Sequence, residues 1–489
     1  MISLSAPWGP DRYDYQNGRI VTEAKGVLPG PTSYIPWPSL SALSVALATG
    51  YCRGAVLART TSGSYVIFAG TATRLYKYVS ATDAWTNVTR LAGGDYAVPD
   101  DEQWSFAQFG DNLVVVNATD DPQVIDIGSG SNFAALGGSP PKARYAKVVG
   151  DQLWLGGLAL NPNRVMWSGR NDIEHWTVGT KDCDYQEFPD GGFVTGITTL
   201  ETGLITQEGA IRRYAADPGR AIYQFAKVED QRGCLAPASL VVPGRVALYY
   251  SEDGFYVTDG AGSSAPIGND FVDGWFGDQV NTERLYSIIG AIDPTHPRVS
   301  WLFPTAGNTT ALLDHIICYD LAQKQWSHAE VSASYIFGAA TAGYTLEGLD
   351  VLGYTLDTMP FSLDSRLLMG GAPSLAAFDS AYKLAFFSGS NMAAQIKTAG
   401  LQLIPGQRSF VQGCHVYTDA SAATITINKK ESVQDAAYTA GTAVAINSQG
   451  FTPQRSSGRI HQFQLDIAAA ATWQHIQGLD PIYESDGER

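Results

Sequence analysis

Carboxylates are the side chains of this sequence best placed to do chemistry. Asp182, Asp184, Glu187 and Asp190 crowd into one short stretch, and Asp120 and Asp121 are adjacent. Oxygen ligands grouped in this way could hold calcium, but neither run has the ligand spacing of a calcium-binding loop, so solvated turns are the expectation. The seven histidines, His175, His296, His315, His328, His415, His461 and His475, contain no H-x-x-x-H or H-E-x-x-H pair. A zinc site would have to be assembled from distant loops. Cys52, Cys183, Cys234, Cys318 and Cys414 are odd in number and far apart, with no C-x-x-C, which disfavours a disulfide framework and suits reduced, buried thiols. Gly128-Ser-Gly-Ser and Gly260-Ala-Gly-Ser-Ser lack the lysine of a phosphate-binding loop. The chain is therefore expected not to be an enzyme, with no catalytic, cofactor-binding or metal-ligating residue and no cofactor.

The elements that must carry these residues are β-strands. Residues 75–88, LYKYVSATDAWTNV, align without a gap on residues 316–329, IICYDLAQKQWSHA, so that Tyr78 precedes Trp85 by the same interval as Tyr319 precedes Trp326. Looser copies surround Trp167 and Trp176, Glu252-Asp253-Gly254, and the stretch 111–128. A hairpin repeat of this kind marks a β-propeller, because one four-stranded blade cannot bury its own faces and must stack on the next. The aromatic pairs are read as packing between blades. Strand-like runs continue at intervals of about 8 to 12 residues with no βαβ alternation. The fold class expected is all-β: a β-propeller of six or seven blades, partly irregular, followed by a C-terminal β-sandwich.

Composition agrees. With 51 Gly and 24 Pro, turns are frequent and long helices are disfavoured. The first forty residues, rich in Pro and Gly, read as an extended arm (1–40) lying on something else. A short helix is expected next, over SLSALSVALATG, capped by Ser39 or Ser41 and ending at Gly50. The propeller is assigned to 41–382 and the sandwich to 383–489, where alternating strands replace the hairpin repeat. Charge divides at the same point. Residues 383–489 hold eight basic and eight acidic residues, so the formal charge of −16 lies wholly in 1–382, as 24 basic against 40 acidic. An acidic surface argues against gripping nucleic acid, since affinity for phosphates comes from Lys and Arg displacing counterions. The amino end has neither a basic start nor an apolar core of the signal-peptide kind, and no stretch reaches membrane-spanning length, so neither a signal peptide nor a membrane span is expected.

The order of parts resembles a known family. GPTSYIPWPSLSAL near the start, WSGRNDIEHW at 167–176, the run from Gly203 through GLITQEGAIRRYAADPGR to Arg232-Gly-Cys-Leu-Ala-Pro, FFSGSNMAAQIKTAGLQLIPGQRSFVQG and SSGRIHQFQLDI are similar to phrases of short-tailed bacteriophage tail proteins. They resemble the tail nozzle, or hub, also called the packaged-DNA stabilisation protein. That resemblance implies a virion tail component assembled in the host cytoplasm: a homo-hexamer that extends and closes the portal channel, retains packaged DNA and lets it pass on ejection. Its implied partners are the head-to-tail adaptor, tail fibre, tailspike or needle proteins, and genomic DNA passing without sequence-specific contacts. Candidate channel or loop residues are Asp182, Asp184, Glu187 and Asp190, with Glu347 and Asp350 in the tandem of Gly-Tyr-Thr-Leu repeats at 342–358, which is read as an inserted loop at a blade edge. The alternative is a glycan-binding or glycan-hydrolysing propeller at a virion tip or cell surface. Paired carboxylates about 5 to 9.5 Å apart would suffice for hydrolysis, and Ser251-Glu252-Asp253-Gly254 faintly resembles a sialidase Asp-box, although Phe255-Tyr256-Val257 stands where Gly-x-Thr-Trp belongs.

Overall fold

The computed structural model describes residues 2–12, 20–80, 82–199, 203–217, 222–340, 373–420 and 422–486. The expected propeller is present, and the described residues form seven blades. Blades 1 to 4 are four-stranded antiparallel sheets spanning 54–87, 105–135, 143–187 and 194–230. Blade 5 (247–266) has three strands, with Val241 bridged to Leu248 in place of an inner strand. Blade 6 begins at Ile289–Ile292 and ends in the first half of the long strand Gln325–Ala339. The second half of that strand opens blade 7, pairing with Ser374–Asp379, which pairs in turn with Lys383–Asn391. Inner strands of blades 1 to 4 adjoin in turn, a shared core of Leu204, Ile211, Ala247 and Tyr249 joins blade 4 to blade 5, the turn Pro237–Ser239 of blade 5 lies against Ile289–Ile292 of blade 6, and Gln325–Ala339 lies against both Ile289–Ile292 and the start of blade 1, so the ring is closed.

Closure comes from the amino-terminal side. Pro38–Ala46 forms the outermost strand of blade 7, antiparallel to Lys383–Asn391. The helix expected over this segment is therefore corrected to a strand. Blade 7 has an open edge whose amides and carbonyls need partners, and that long-range demand outweighs a weak local helical pattern. Ser44 is the fastener: its buried hydroxyl accepts the Leu384 amide at 2.9 Å and the Trp85 indole N–H at 3.1 Å. The 382/383 boundary drawn from charge falls inside the hairpin joining Ser374–Asp379 to Lys383–Asn391, so the propeller takes in this last strand too.

The sandwich uses both ends of the chain. One sheet contains Ile2–Ser3, Val27–Pro29, Tyr34–Pro36, Ser409–Thr418, Phe451–Gly458 and Ile476–Ser485. The other contains Val21–Lys25, Ala394–Thr398, Ala423–Lys430, Val444–Ala445 and Ile460–Ile467. What the arm lies on is thus the sandwich, into which it is woven as strands. Val21–Lys25 also touches blade 6 in parallel register, Lys25 opposite His328, and the Gly26 amide donates to the His328 carbonyl at 2.8 Å. Gly26 sits at φ +67°, and a Cβ there would stand 2.0 Å from the Ala393 carbonyl oxygen, so only glycine fits the crossing. Beside it the His328 imidazole meets the Glu23 carboxylate at 2.5 Å and stacks on Trp8. One continuous core runs from the sandwich (Ile396, Phe463, Leu465) through Trp8 into blades 5 and 6 (Phe255, Trp301, Trp326).

The repeated aromatics sit where the repeat implied. Tyr78 and Trp85 are direct cross-strand partners, as are Tyr319 and Trp326, with ring centroids 5.3 and 4.6 Å apart. Trp85 then reaches Phe378 of blade 7, and Trp326 reaches Phe255 of blade 5. Each pair cements its blade to a neighbour, at about 0.5–1.5 kcal/mol per ring contact beyond the area it buries. All five cysteines are free and buried. The 342–358 tandem lies outside the described residues. Ser44→Ala would strand two donors at the closure seam, at a cost of about 1–3 kcal/mol. The expected result is a lower unfolding midpoint with faster exchange of the Leu384 amide; unchanged exchange would show that closure does not depend on this hydroxyl.

Candidate functional site

The carboxylates singled out from sequence lie on the rim of blade 3, and most are engaged. Asp184–Glu187 is that blade's outer strand. Asp182, at φ +60° in the preceding turn, pairs with Arg170 at 3.1 Å. Asp184 accepts the Tyr185 amide at 2.9 Å. Glu187 is held by Arg164, its cross-strand partner, which also covers the Tyr185 ring at 4.2 Å. Asp190 reaches blade 4, where it binds Arg212 and, at 2.5 Å, Lys227; the hydrogen bond from Lys227 and the Arg212 charge hold its carboxyl below the usual range. The structure thus gathers Asp182, Asp184 and Glu187 along one edge and commits Asp190 to joining two blades. Asp120 is likewise occupied by Arg90 at 2.8 Å, and Asp121 lies 3.7 Å from Lys142. Glu347 and Asp350 lie outside the described residues.

Unbalanced acidity is concentrated elsewhere. From Val246 to Glu283, across blade 5 and the helix Asp273–Gln279, the chain has seven acidic residues and no Lys, Arg or His. Glu252, Asp259, Asp270, Asp278 and Glu283 are exposed and make no ion pair among the described residues, and Arg232 compensates only Asp253. Asp11 joins this face from the amino-terminal arm, accepting the Gly274 and Trp275 amides at 2.8 Å each. Asp273 sits within the face in a cradle of glycines. A Cβ at Gly254 (φ +142°) or at Gly268 would stand 2.3 or 2.0 Å from its carboxyl group. Burial, reinforced by Asp11 and Asp253, pushes Asp273 up to about 7, although the Phe255 amide donates to it at 3.1 Å. Its proton softens the repulsion among neighbouring carboxylates.

A second polar locus lies on the propeller axis. The inner strands enclose a cavity of about 420 Å³ that shares Glu102, Gln103, Tyr286, Ile289 and Tyr335 with a second of about 430 Å³, which reaches Arg53, Asp100 and Arg284 where the inner strands begin. Most cations here are satisfied. Arg53 binds Asp100, Arg144 binds Glu102 at 3.0 Å, and Arg284 donates to the Asn308 and Thr310 carbonyls. Ser105 ties blade 2 to blade 3 by accepting the Ala146 amide at 3.1 Å. Lys147, deeper on the inner strand Ala143–Val149, makes no ion pair or hydrogen bond among the described residues. Its side chain is exposed and lines the cavity, where water can solvate it. Sequence reasoning missed this locus, because its residues come from strands far apart in the chain. The one local trace was a lysine on the same strand face as Ala143 and Tyr145 in ARYAKVV.

No family model matches the chain, and no curated protein matches it. Solved structures that match include the computationally designed Ika8 protein, with 10% identity over 74% of this chain and 96% of that one at a TM-score of 0.39. A chain of the mitotic checkpoint complex matches at 9% identity, covering 73% and 97%, with a TM-score of 0.40. A fungal alcohol oxidase of the AA5 family in complex with copper matches at 9% identity, covering 90% and 99%, with a TM-score of 0.37. Superpositions this loose carry neither a site nor an activity across.

Asp273 yields a signed prediction. Its folded pKa is raised from 3.8 to about 7, so folding takes up a proton between those values, and stability falls as pH rises through that window. Asp273→Asn is expected to leave the unfolding free energy unchanged below pH about 4 and to raise it by about 2 kcal/mol at pH 8, after allowance for solvent screening. A variant no more stable at pH 8 than the parent, in paired denaturant titrations, would contradict the assignment.

Proposed function

We propose that this chain is a structural component of a short phage tail, the nozzle or hub that, as a homo-hexamer, extends and closes the portal channel, retains packaged DNA and lets it pass on ejection. The observation that carries the reading is the acidic face of blade 5 and its helix. A ring of six copies would bring together about six times a charge of −16, and a surface on which carboxylates outnumber lysine and arginine repels a polyphosphate backbone. DNA could then slide past under pressure without the counterion release that would hold it. The phrases that carry the family resemblance support the same reading by their positions. GPTSYIPWPSLSAL runs from the sandwich strand Tyr34–Pro36 into the closing strand Pro38–Ala46, and FFSGSNMAAQIKTAG runs from blade 7 back into the sandwich. They are the two crossings between the propeller and the sandwich, as suits a protein whose work is architectural.

In this reading the head-to-tail adaptor seats the ring, fibre, tailspike or needle proteins attach to it, and the virion tail is where it acts. No catalytic role is assigned. The test is to mix the purified chain with a portal–adaptor complex, image the product by negative stain, and measure double-stranded DNA binding by mobility shift at low salt. Six-fold rings on the adaptor and no DNA retention at about 50 mM salt are expected. A chain that stays monomeric on the adaptor, binds DNA with a steep salt dependence, or cleaves polysaccharide as a monomer would overturn the reading, the last outcome in favour of a glycan-active propeller.

A further inference from the structure

We infer that the seam between the amino-terminal arm and blade 6 is an acid-sensitive latch, held closed with one proton on the paired imidazoles of His315 and His328 and loosened when a second proton joins it. The latch works within one chain, whatever assembly that chain enters. Two buried nitrogens mark the place: the Nδ1 atoms of His315 and His328 have no hydrogen-bond partner among the described residues. Their rings lie 11° from parallel with centroids 6.3 Å apart. The two are not equally equipped to carry charge. A carboxylate can only accept, so His328 Nε2 donates to Glu23 across the seam, at 2.5 Å, and the Trp8 and Trp275 rings stand 4.7 and 4.8 Å from the imidazole. A carboxylate partner and indole neighbours both suit an imidazolium. His315 is half-buried beside Phe303 and His328, and a proton on its Nδ1 finds no acceptor.

Charge at the seam balances with one imidazolium. The arm strand Val21–Lys25 brings Glu23 and Lys25, its neighbour Ala394–Thr398 brings Lys397 opposite Glu23, and blade 6 brings Asp314 and, opposite His315, Glu330, which Lys25 binds at 2.5 Å. Arg298, on the strand that carries Phe303, is bound to Asp320, and the helix Asp273–Gln279 meets His328 through Trp275, its Asp273 and Asp278 interacting with Asp11. Carboxylates of Asp314, Glu23 and Glu330 thus face the ammonium groups of Lys25 and Lys397, so one imidazolium neutralises the set and a second leaves it positive, with like charges on stacked rings. The link that must bear this is thin. Val21–Lys25 pairs along its length with Ala394–Thr398 but meets blade 6 only where Lys25 stands opposite His328 and the Gly26 amide donates to the His328 carbonyl. Burial and the His328 charge hold His315 below its usual range, so the closed seam favours its neutral form and loses stability as pH falls through the ordinary histidine value of about 6.5. The carboxylates give way later. Burial raises Glu23, but the His328 bond and the charges of His328, Lys397 and Lys25 outweigh it and keep that carboxyl below its usual range, as the Lys25 bond keeps Glu330.

The test is hydrogen exchange of the Gly26 amide in the full chain, followed from about pH 7.5 to about pH 4.5 and corrected for the intrinsic pH dependence of exchange. Its protection is expected to fall at least about tenfold between about pH 7 and about pH 5.5, while the strand Ile460–Ile467 inside the sandwich keeps its own. His315→Gln, which cannot take up the second proton, should match the parent at about pH 7 and remove most of the fall, and His315→Asn serves in its place should that variant misfold. The unaltered protein alone can also decide against the latch. A flat profile, a fall that begins only below about pH 4.5, where the carboxylates titrate, or an equal loss of protection in Ile460–Ile467 would each overturn it, as would an undiminished fall in a folded His315 variant.

Discussion

Much of this molecule hangs on one strand. Gln325–Ala339 is fifteen residues long, well beyond an ordinary strand of about five or six, because it serves three partners in succession. Its first half closes blade 6 against Leu313–Asp320, its second half opens blade 7 against Ser374–Asp379, and at His328 it meets the amino-terminal arm. The change of partner falls at Ala333, where the register slips between Ala333 and Tyr335, and an extra residue there is how a strand bends from one sheet into the next. Near His328, ladder bonds, the contact with Glu23 and the stacked Trp8 converge, so the propeller and the sandwich share both hydrogen bonds and core. The boundary between the two units is made of the same kinds of interaction as their interiors.

The blades were legible because they repeat. Tyr78 with Trp85 and Tyr319 with Trp326 mark equivalent cross-strand positions, and a periodic demand for inter-blade packing leaves a periodic trace. What breaks the repeat left no such trace. Pro38–Ala46 carries a faint helical spacing, and nothing within it announces an open edge waiting more than three hundred residues away. The charge boundary at 382/383 records where acidity stops, whereas the blade ends only after Lys383–Asn391 has paired on both sides. Acidic spacing drew notice to 182–190, yet Asp182, Glu187 and Asp190 are matched by arginines and lysines on neighbouring strands and turns. Lys147 was hidden for the opposite reason: one unmatched charge is invisible until ring closure shows that nothing stands opposite it.

Charge on this propeller is therefore of two kinds. Around blades 3 and 4, carboxylates and cations form pairs across neighbouring strands, which fixes the strands relative to one another and leaves little net field. Across blade 5 and its helix most carboxylates stand without cations, and the protein lowers the resulting repulsion by keeping one of them, Asp273, in a glycine-lined niche that favours its proton. The first kind is structural reinforcement. The second is a field projected outward, and it is this field on which the proposed role draws.

The closing strand has a consequence for how the chain is made. Its hydroxyl at Ser44 bonds an amide 340 positions later, so one of the first strands to leave the ribosome cannot take its final place until about seven-tenths of the chain has followed it. Such distant pairing slows folding, because the entropy of bringing the ends together must be met before the contact rewards it. Blades 1 to 6 can each form from local hairpins meanwhile, leaving an open arc with two bare edges. The Ser and Ala residues that make Pro38–Ala46 an unconvincing strand on its own also make it a poor template for neighbouring nascent chains. A weak propensity at this position works as a delay, holding the ring open until its own last blade arrives.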